Sequence, residues 1–213
     1  MKIQTIHNRL FIHFRRRRMK KFFDLIAPTP TTRMIDIGGA PITWNSEAGV
    51  ETTFPITLCN IRFPGDLASQ GSRFSAVEAD ATDLPFADKS FDVAFSNSVI
   101  EHLGTWERQQ AFAREARRVA GKLWIQTPAR SFPIEPHYIA PFMQFLPKRW
   151  QRRLARRATV WGILVKPSPE LIDEWVEELR LLSYSEFKQL FPDCQILRER
   201  FCGFTKSYVA VRV

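Results

Sequence analysis

The side chains best suited to moving a proton fall in two short stretches of this 213-residue sequence. "FPIEPHYIAPF" places Glu135, His137 and Tyr138 within four residues, between Pro133, Pro136 and Pro141. "SNSVIEHL" offers Asn97 and Ser98 and ends on the pair Glu101–His102. Imidazole changes charge near neutral pH, so His102 and His137 are candidate bases, with Glu135 and Tyr138 as further titratable groups. Prolines stiffen the first stretch, which suits a loop that recognises a reacting partner. A third stretch, "RMIDIGGAPITW", binds rather than reacts. A strand over 33–37 runs through Asp36 into Gly38 and Gly39, where backbone without Cβ can approach a ligand and a carboxylate can face a cation.

These stretches need a scaffold. Short apolar runs at 33–37, 55–61, 74–79, 91–96 and 121–127 read as strands, rich in Val, Ile and Phe and without clean alternation. That is the pattern of parallel strands buried on both faces. A helix is predicted from Thr105 as N-cap through Trp106, Phe112, Ala116 and Val119 to a stop at Gly121. Later helices start at Ser168, with Pro169 in the first turn, and at Ser183, with Glu186 completing a capping box. "CQILRERF" and "KSYVAVRV" read as a strand pair joined through Gly203. The expectation is an α/β fold: a doubly wound, mostly parallel seven-stranded sheet closed by an antiparallel C-terminal pair, with ligands beyond the carboxyl ends of the strands. Only about sixteen residues separate the first two strands, and about a dozen the next two, so the helices there are expected to be short.

The chain is read as one domain over residues 1–213, with a basic N-terminal helix over 1–30 and a Pro-, aromatic- and Arg-rich insertion over 128–167. Its net charge of +9 is unevenly spread. Residues 1–27 carry +7 and residues 141–166 another +7, which leaves the remainder at −5. Two basic segments on an acidic core suit phosphates, of a membrane surface or of nucleic acid. Cys59, Cys194 and Cys202 are too few and too scattered for a disulfide framework or a metal site, and a reducing cytoplasm is the expected compartment. No apolar run is long enough for a membrane span. His7, Arg9 and His13 break up the first apolar residues, so no signal peptide is expected.

The ordered series "MIDIGG", "ITLCNI" and "EADATDLPFADKSFDVAFSNSVIEHL" resembles the class I S-adenosylmethionine-dependent methyltransferases, in particular the small proteins with a generic methyltransferase domain. The resemblance covers about residues 30–130 well and the final helix and strands loosely. It implies S-adenosylmethionine as cofactor. Asp36, Gly38 and Gly39 would meet its methionyl part, Asn60 its ribose, and Asp80 and Ala81 its adenine. Asn97 and Ser98 would lie near the methyl group. Two departures stand out. Ala40 and Ile42 occupy the second and third glycine positions of the family's loop, and Cys59–Asn60 stand where an acid usually grips the ribose. No Asn/Asp-Pro-Pro-Tyr sequence is present, which argues against methylation of adenine or glutamine nitrogens.

On this reading the protein methylates a small or amphiphilic acceptor, with the insertion as an acceptor cap and an anionic membrane surface as a partner. Two other functions stay open: an inactive methyltransferase-like protein that binds membranes or polyanions, and an RNA methyltransferase. Against the last, both basic segments mix arginine with Phe, Leu and Trp and no RNA-binding module is visible. Structural roles also stay open for Asp80 as a turn cap, His102 as a pocket wall, the 133–142 loop as packing, and the basic segments as solvated helical faces.

Overall fold

The structure, a computed structural model, describes residues 2–44, 52–63 and 73–213, with side chains from Phe14 onward. The connections after the first and second strands, where short helices are expected, therefore lie partly outside the described residues. So do the side chains of Ile3, Ile6, Leu10 and Phe11.

The predicted strands form β1 (Met34–Ile37), β2 (Ile56–Asn60), β3 (Phe74–Glu78), β4 (Phe91–Asn97) and β5 (Ala120–Pro128). With the C-terminal β8 (Gln195–Phe201) and β9 (Phe204–Arg212) they make a seven-stranded sheet of order β3-β2-β1-β4-β5-β9-β8. β1 pairs in parallel with both β2 and β4, and β2 with β3, while β8 and β9 are antiparallel. The chain therefore leaves β1 towards β2 and later returns on its other side with β4. That reversal of direction opens a crevice at the carboxyl ends of β1 and β4, where open α/β sheets bind ligands.

The remaining elements are α1 (Lys2–Ile26), α2 (Trp106–Val119), the two-residue strands β6 (Ile134–Glu135) and β7 (Ala140–Pro141), α3 (Lys148–Ala155), α4 (Val160–Val165), α5 (Pro169–Glu178) and α6 (Tyr184–Leu190). Ser168 caps α5 by accepting from the Leu171 N–H, and Ser183 with Glu186 closes the capping box of α6. One boundary differs from expectation. α2 ends at Val119 and β5 starts at Ala120, so Gly121 lies on the strand instead of stopping the helix.

The sequence reads as one domain, but the residues group into two compact units. The first holds residues 1–97, 115–124 and 212–213, and the second 98–114 and 125–211. In the first, α1 lays Met19, Phe22 and Ile26 into the core at helical spacing. Phe22 meets Phe95, Trp124 and Trp44 edge-on at centroid separations of 5.2, 5.5 and 6.0 Å. Such contacts add to the stability gained by burying aromatic area. In the second, the 128–167 stretch has a core of its own. Tyr138, Ala140, Met143 and Ala155 pack with Ile172 and Val176 of α5, and Trp161 stacks on Trp175 at 4.6 Å.

Candidate active site

In the first unit, β1 delivers Asp36 to its carboxyl end, and Gly38 follows with φ +75°, a conformation that strains any residue with a Cβ. The Gly38 N–H bonds the Cys59 carbonyl at 2.6 Å, tying the loop to the end of β2. Gly39 is needed for a different reason: a Cβ there would stand 2.1 Å from Cγ of Asp36. Ala40, at a family glycine position, is absent from the residues with positive φ, so this loop does not require glycine there.

Asp36 does not present its carboxylate to open space. It is 2% exposed, and its Oδ2 accepts the Trp44 indole N–H at 2.7 Å. Burial raises its pKa to about 7, against the lowering effect of that bond. Burial, with the charges of Asp36 and Asp80, likewise pushes the neighbouring Cys59 thiol up to about 11.

Asn60, the last residue of β2, and Asp80, just beyond β3, are half-buried. Asn60 Oδ1 accepts the Ile61 N–H at 2.9 Å, and its Nδ2 lies 3.4 Å from the Gly39 carbonyl, so its side chain bridges the loops that follow β1 and β2. Asp80 Oδ1 accepts from both the backbone N–H and the hydroxyl of Thr82 at 2.8 Å, which is the turn-capping role for that residue. Half-buried Ala81 follows it. Sequence reasoning missed what holds this loop. Arg118 of α2 donates to the carbonyls of Phe86 and Leu84 at 2.6 and 3.0 Å and pairs with Asp88 at 2.9 Å. Glu115 accepts the Leu84 N–H at 2.8 Å. Asn97, at the end of β4, accepts from Arg18 of α1, and the two line a narrow opening with Arg15, Met19, Thr43 and Phe95.

In the second unit, Ser98 adopts φ +59°, held by bonds from its N–H and hydroxyl to the carbonyl and side-chain oxygens of Gln126 at 3.1 and 2.9 Å. A non-glycine residue held in this region stores strain, which clusters at functional sites. The 3-10 turn Ile100–Leu103 that follows is clamped from outside. Gln109 donates to the carbonyls of Ile100 and Arg180, and Arg180 donates its N–H to the Glu101 carbonyl at 2.7 Å. Glu101 is fully buried. Thr127 donates to its Oε2 at 3.1 Å, while Oε1 has no hydrogen-bond partner. Burial raises the Glu101 pKa, against the positive charge of His137 and its hydrogen bonds.

The two histidines that the sequence singled out come together, their rings meeting edge to face at 4.8 Å. Partial desolvation of its ring, with the neighbouring His137, lowers the His102 pKa to about 4, although the residue keeps an exposed surface, so that ring is neutral at physiological pH. For His137 burial also works against charge, but the hydrogen bond and charge of Glu135 and the charge of Glu101 outweigh it and raise its pKa. The link is short: His137 Nδ1 lies 2.7 Å from Oε1 of buried Glu135. The other Glu135 oxygen accepts the Tyr138 N–H at 2.6 Å.

Tyr138 requires a correction. Its side chain is fully buried among Trp161, Trp175 and the aliphatic core, and its hydroxyl has no partner. Burial, with the charge of Glu135, pushes its pKa up, and the ring packs into the core. The neighbouring cavity of about 190 Å³ is lined by Arg130, Glu135, Gln144, Gln151 and Arg180, with Leu179 and Leu181 as its apolar side. Arg130, Gln144 and Arg180 were not singled out in the sequence, since single polar residues scattered over separate segments leave no local pattern.

Residues 56–122 match the family described as a methyltransferase domain. No curated protein matches the chain. Among solved structures it resembles the Burkholderia thailandensis 1,6-didemethyltoxoflavin-N1-methyltransferase with bound 1,6-didemethyltoxoflavin and S-adenosylhomocysteine. The TM-score is 0.56 at 11% identity, over 92% of this chain and 76% of that one. An O-methyltransferase family protein from the same organism gives a TM-score of 0.55 at 12% identity, over 96% of this chain and 58% of that one. A Rhodobacter sphaeroides protein named as a zinc-dependent alcohol dehydrogenase gives 0.59 at 12% identity, over 92% of this chain and 88% of that one. At these identities the likeness is one of fold. The matched segment, residues 56–122, lies within a sheet whose order and antiparallel closing pair give the α/β fold of these neighbours.

Proposed function

We propose that this chain is a class I methyltransferase that uses S-adenosylmethionine to methylate a small molecule of amphiphilic character. The observation that carries the reading is where the match falls. Residues 56–122 span β2 to β5 and include Asn60, Asp80, Ala81 and Asn97, at or just beyond the carboxyl ends of their strands.

The residues present fit the cofactor unevenly. Half-buried Asn60, Asp80 and Ala81 suit a ribose and an adenine ring. At the other end Asp36 is closed over by Trp44, and the polar groups lining the opening are instead Arg15, Arg18, Thr43 and Asn97. Guanidinium groups suit a carboxylate, so in this chain the methionyl carboxylate is the better match to that wall. When bound, the sulfonium supplies an already activated methyl group, which leaves binding, alignment and proton removal to the protein. For an acceptor that must lose a proton, His137 Nε2 is the best-held basic nitrogen, since Glu135 anchors the other face of the ring.

The acceptor class rests on the second unit's surface. Phe142, Phe145, Trp150, Ile163, Leu164 and Val165 are exposed among Arg149, Arg153, Arg156, Arg157 and Lys166. That mixture suits a lipid-like molecule or an anionic membrane surface. A second reading, a methyltransferase fold without catalysis, draws on the closed Asp36–Trp44 pair. Incubating the full chain with isotopically labelled S-adenosylmethionine and fractionated cell extract separates the two. The proposal expects S-adenosylhomocysteine and a labelled product in at least one lipid or small-molecule fraction. Its absence from every fraction, with cofactor bound, favours the second reading.

A further inference from the structure

Glu101, His102 and His137 bring one carboxylate oxygen and two imidazole nitrogens within 4.8 Å of one another. No cysteine takes part, which is why a search of the sequence for metal ligands through its thiols passes over the cluster. The arrangement is unusual for a purely structural one. Glu101 is wholly buried and its Oε1 meets no donor, although a buried carboxylate oxygen is costly without a hydrogen bond or a cation. His137 is already oriented as a ligand. Its Nδ1 is taken up by Glu135, so Nε2 is the nitrogen it can offer, and Glu135 is itself fixed by the Tyr138 N–H. A carboxylate behind a ligating imidazole is the usual outer shell of a metal site, setting both the tautomer and the ring orientation. The turn that carries Glu101 and His102 is clamped through Gln109 and Arg180, so two of the three ligands sit on a stiff support.

We propose that Glu101, His102 and His137 form a binding site for one divalent transition-metal ion of the zinc type. Two nitrogens and one oxygen favour Zn²⁺, Co²⁺ or Fe²⁺ over Mg²⁺ or Ca²⁺, which prefer all-oxygen shells. Three protein ligands leave at least one position open for water or for an acceptor oxygen. With the ion in place the His137 Nε2 lone pair would go to the metal, and the ion would lower the pKa of an acceptor hydroxyl in the open position so that its proton passes to solvent water instead of to the ring. The site lies within the second unit and does not depend on cofactor binding, so its failure and that of the methyltransferase reading are distinguishable.

The test uses the full chain, stripped with a chelator and without S-adenosylmethionine. Zn²⁺ is titrated by calorimetry, and Co²⁺ by its visible absorption. One ion per chain is expected, with Co²⁺ bands typical of a nitrogen–oxygen shell and no displacement by excess Mg²⁺. Glu135→Gln is expected to weaken binding by about 10–100-fold, the usual cost of losing an outer-shell partner. Glu101→Gln and His102→Ala are expected to weaken it at least as much. Thermal melts confirm that each variant is folded. Should Glu101→Gln unfold, His102→Ala and the parent's Co²⁺ spectrum carry the test. The inference is overturned if the parent takes up no ion saturably, or if folded His102→Ala and Glu135→Gln bind as the parent does.

Discussion

Trp44 donates its indole N–H to Asp36 Oδ2 across 2.7 Å, with both residues shut away from solvent. The pair makes Asp36 part of the core: Trp44 also meets Phe95 edge-on at 4.8 Å and Phe22 at 6.0 Å. A single hydrogen bond does not repay the desolvation of the carboxylate, so the pKa of Asp36 rises from 3.8 to about 7.

Stability should therefore depend on pH through Asp36. Its folded pKa lies above its unfolded one, so the folded chain binds the proton more tightly. The resulting stabilisation is complete below the unfolded value of 3.8 and is lost as pH rises through about 7. Urea denaturation of the parent and of Asp36→Asn across that window should show the parent losing ground to the variant as pH rises. A difference that stays constant with pH would show that Asp36 is ionised in both states.

Gly39→Ala should disturb the same pair. The added Cβ would lie 2.1 Å from Asp36 Cγ and 2.7 Å from its Cβ, too close to be relieved without moving the aspartate. A loss of about 1–3 kcal/mol is expected, as for other overpacked sites, together with a change in tryptophan fluorescence as Trp44 loses its acceptor. An unchanged melting curve and spectrum would mean that the loop relaxes freely.

Much of the scaffold was legible in the sequence because buried parallel strands and capped helices leave local signals. The runs of Val, Ile and Phe marked β1 to β5 to within two residues, and Ser168–Pro169 and Ser183–Glu186 marked α5 and α6. The site was legible only in part. Glu101, His102, Glu135 and His137 stood out as titratable residues in short motifs, and the fold gathers them. Tyr138 shared that motif but is turned into the core, because strand pairing at Ile134–Glu135 and Ala140–Pro141 determines which side chains of the intervening turn face inward. Arg18, Arg118 and Arg180 act across 79, 32 and 71 residues of sequence, and no local pattern announces such partnerships.

Arg118→Ala should loosen the segment that follows Asp80 and Ala81. The variant leaves the Phe86 carbonyl without its Arg118 donor, the Leu84 carbonyl with the Phe86 N–H alone, and Asp88 without its cation. A cost of about 1–3 kcal/mol is expected, with faster amide hydrogen exchange over residues 82–90. Exchange that matches the parent there would show that Glu115 and the backbone suffice.

The exposed face formed by residues 141–166 is expected to bring the chain to anionic vesicles. Each basic residue near such a surface contributes roughly 1 kcal/mol, and exposed Phe142, Phe145 and Trp150 can enter the interface. Co-sedimentation should require anionic lipid and fade with added salt. Replacing Arg149, Arg153, Arg156 and Arg157 by Gln should abolish it. No sedimentation at low salt would point to an acceptor that is free in solution.

The central claim is that this domain binds S-adenosylmethionine, and calorimetric titration of the cofactor into the full chain tests it most directly. One molecule per chain is predicted for the parent, with Asp80→Ala weaker by about 1–3 kcal/mol through the loss of a partly buried acceptor. No saturable heat from the folded parent, with either S-adenosylmethionine or S-adenosylhomocysteine, would contradict the account.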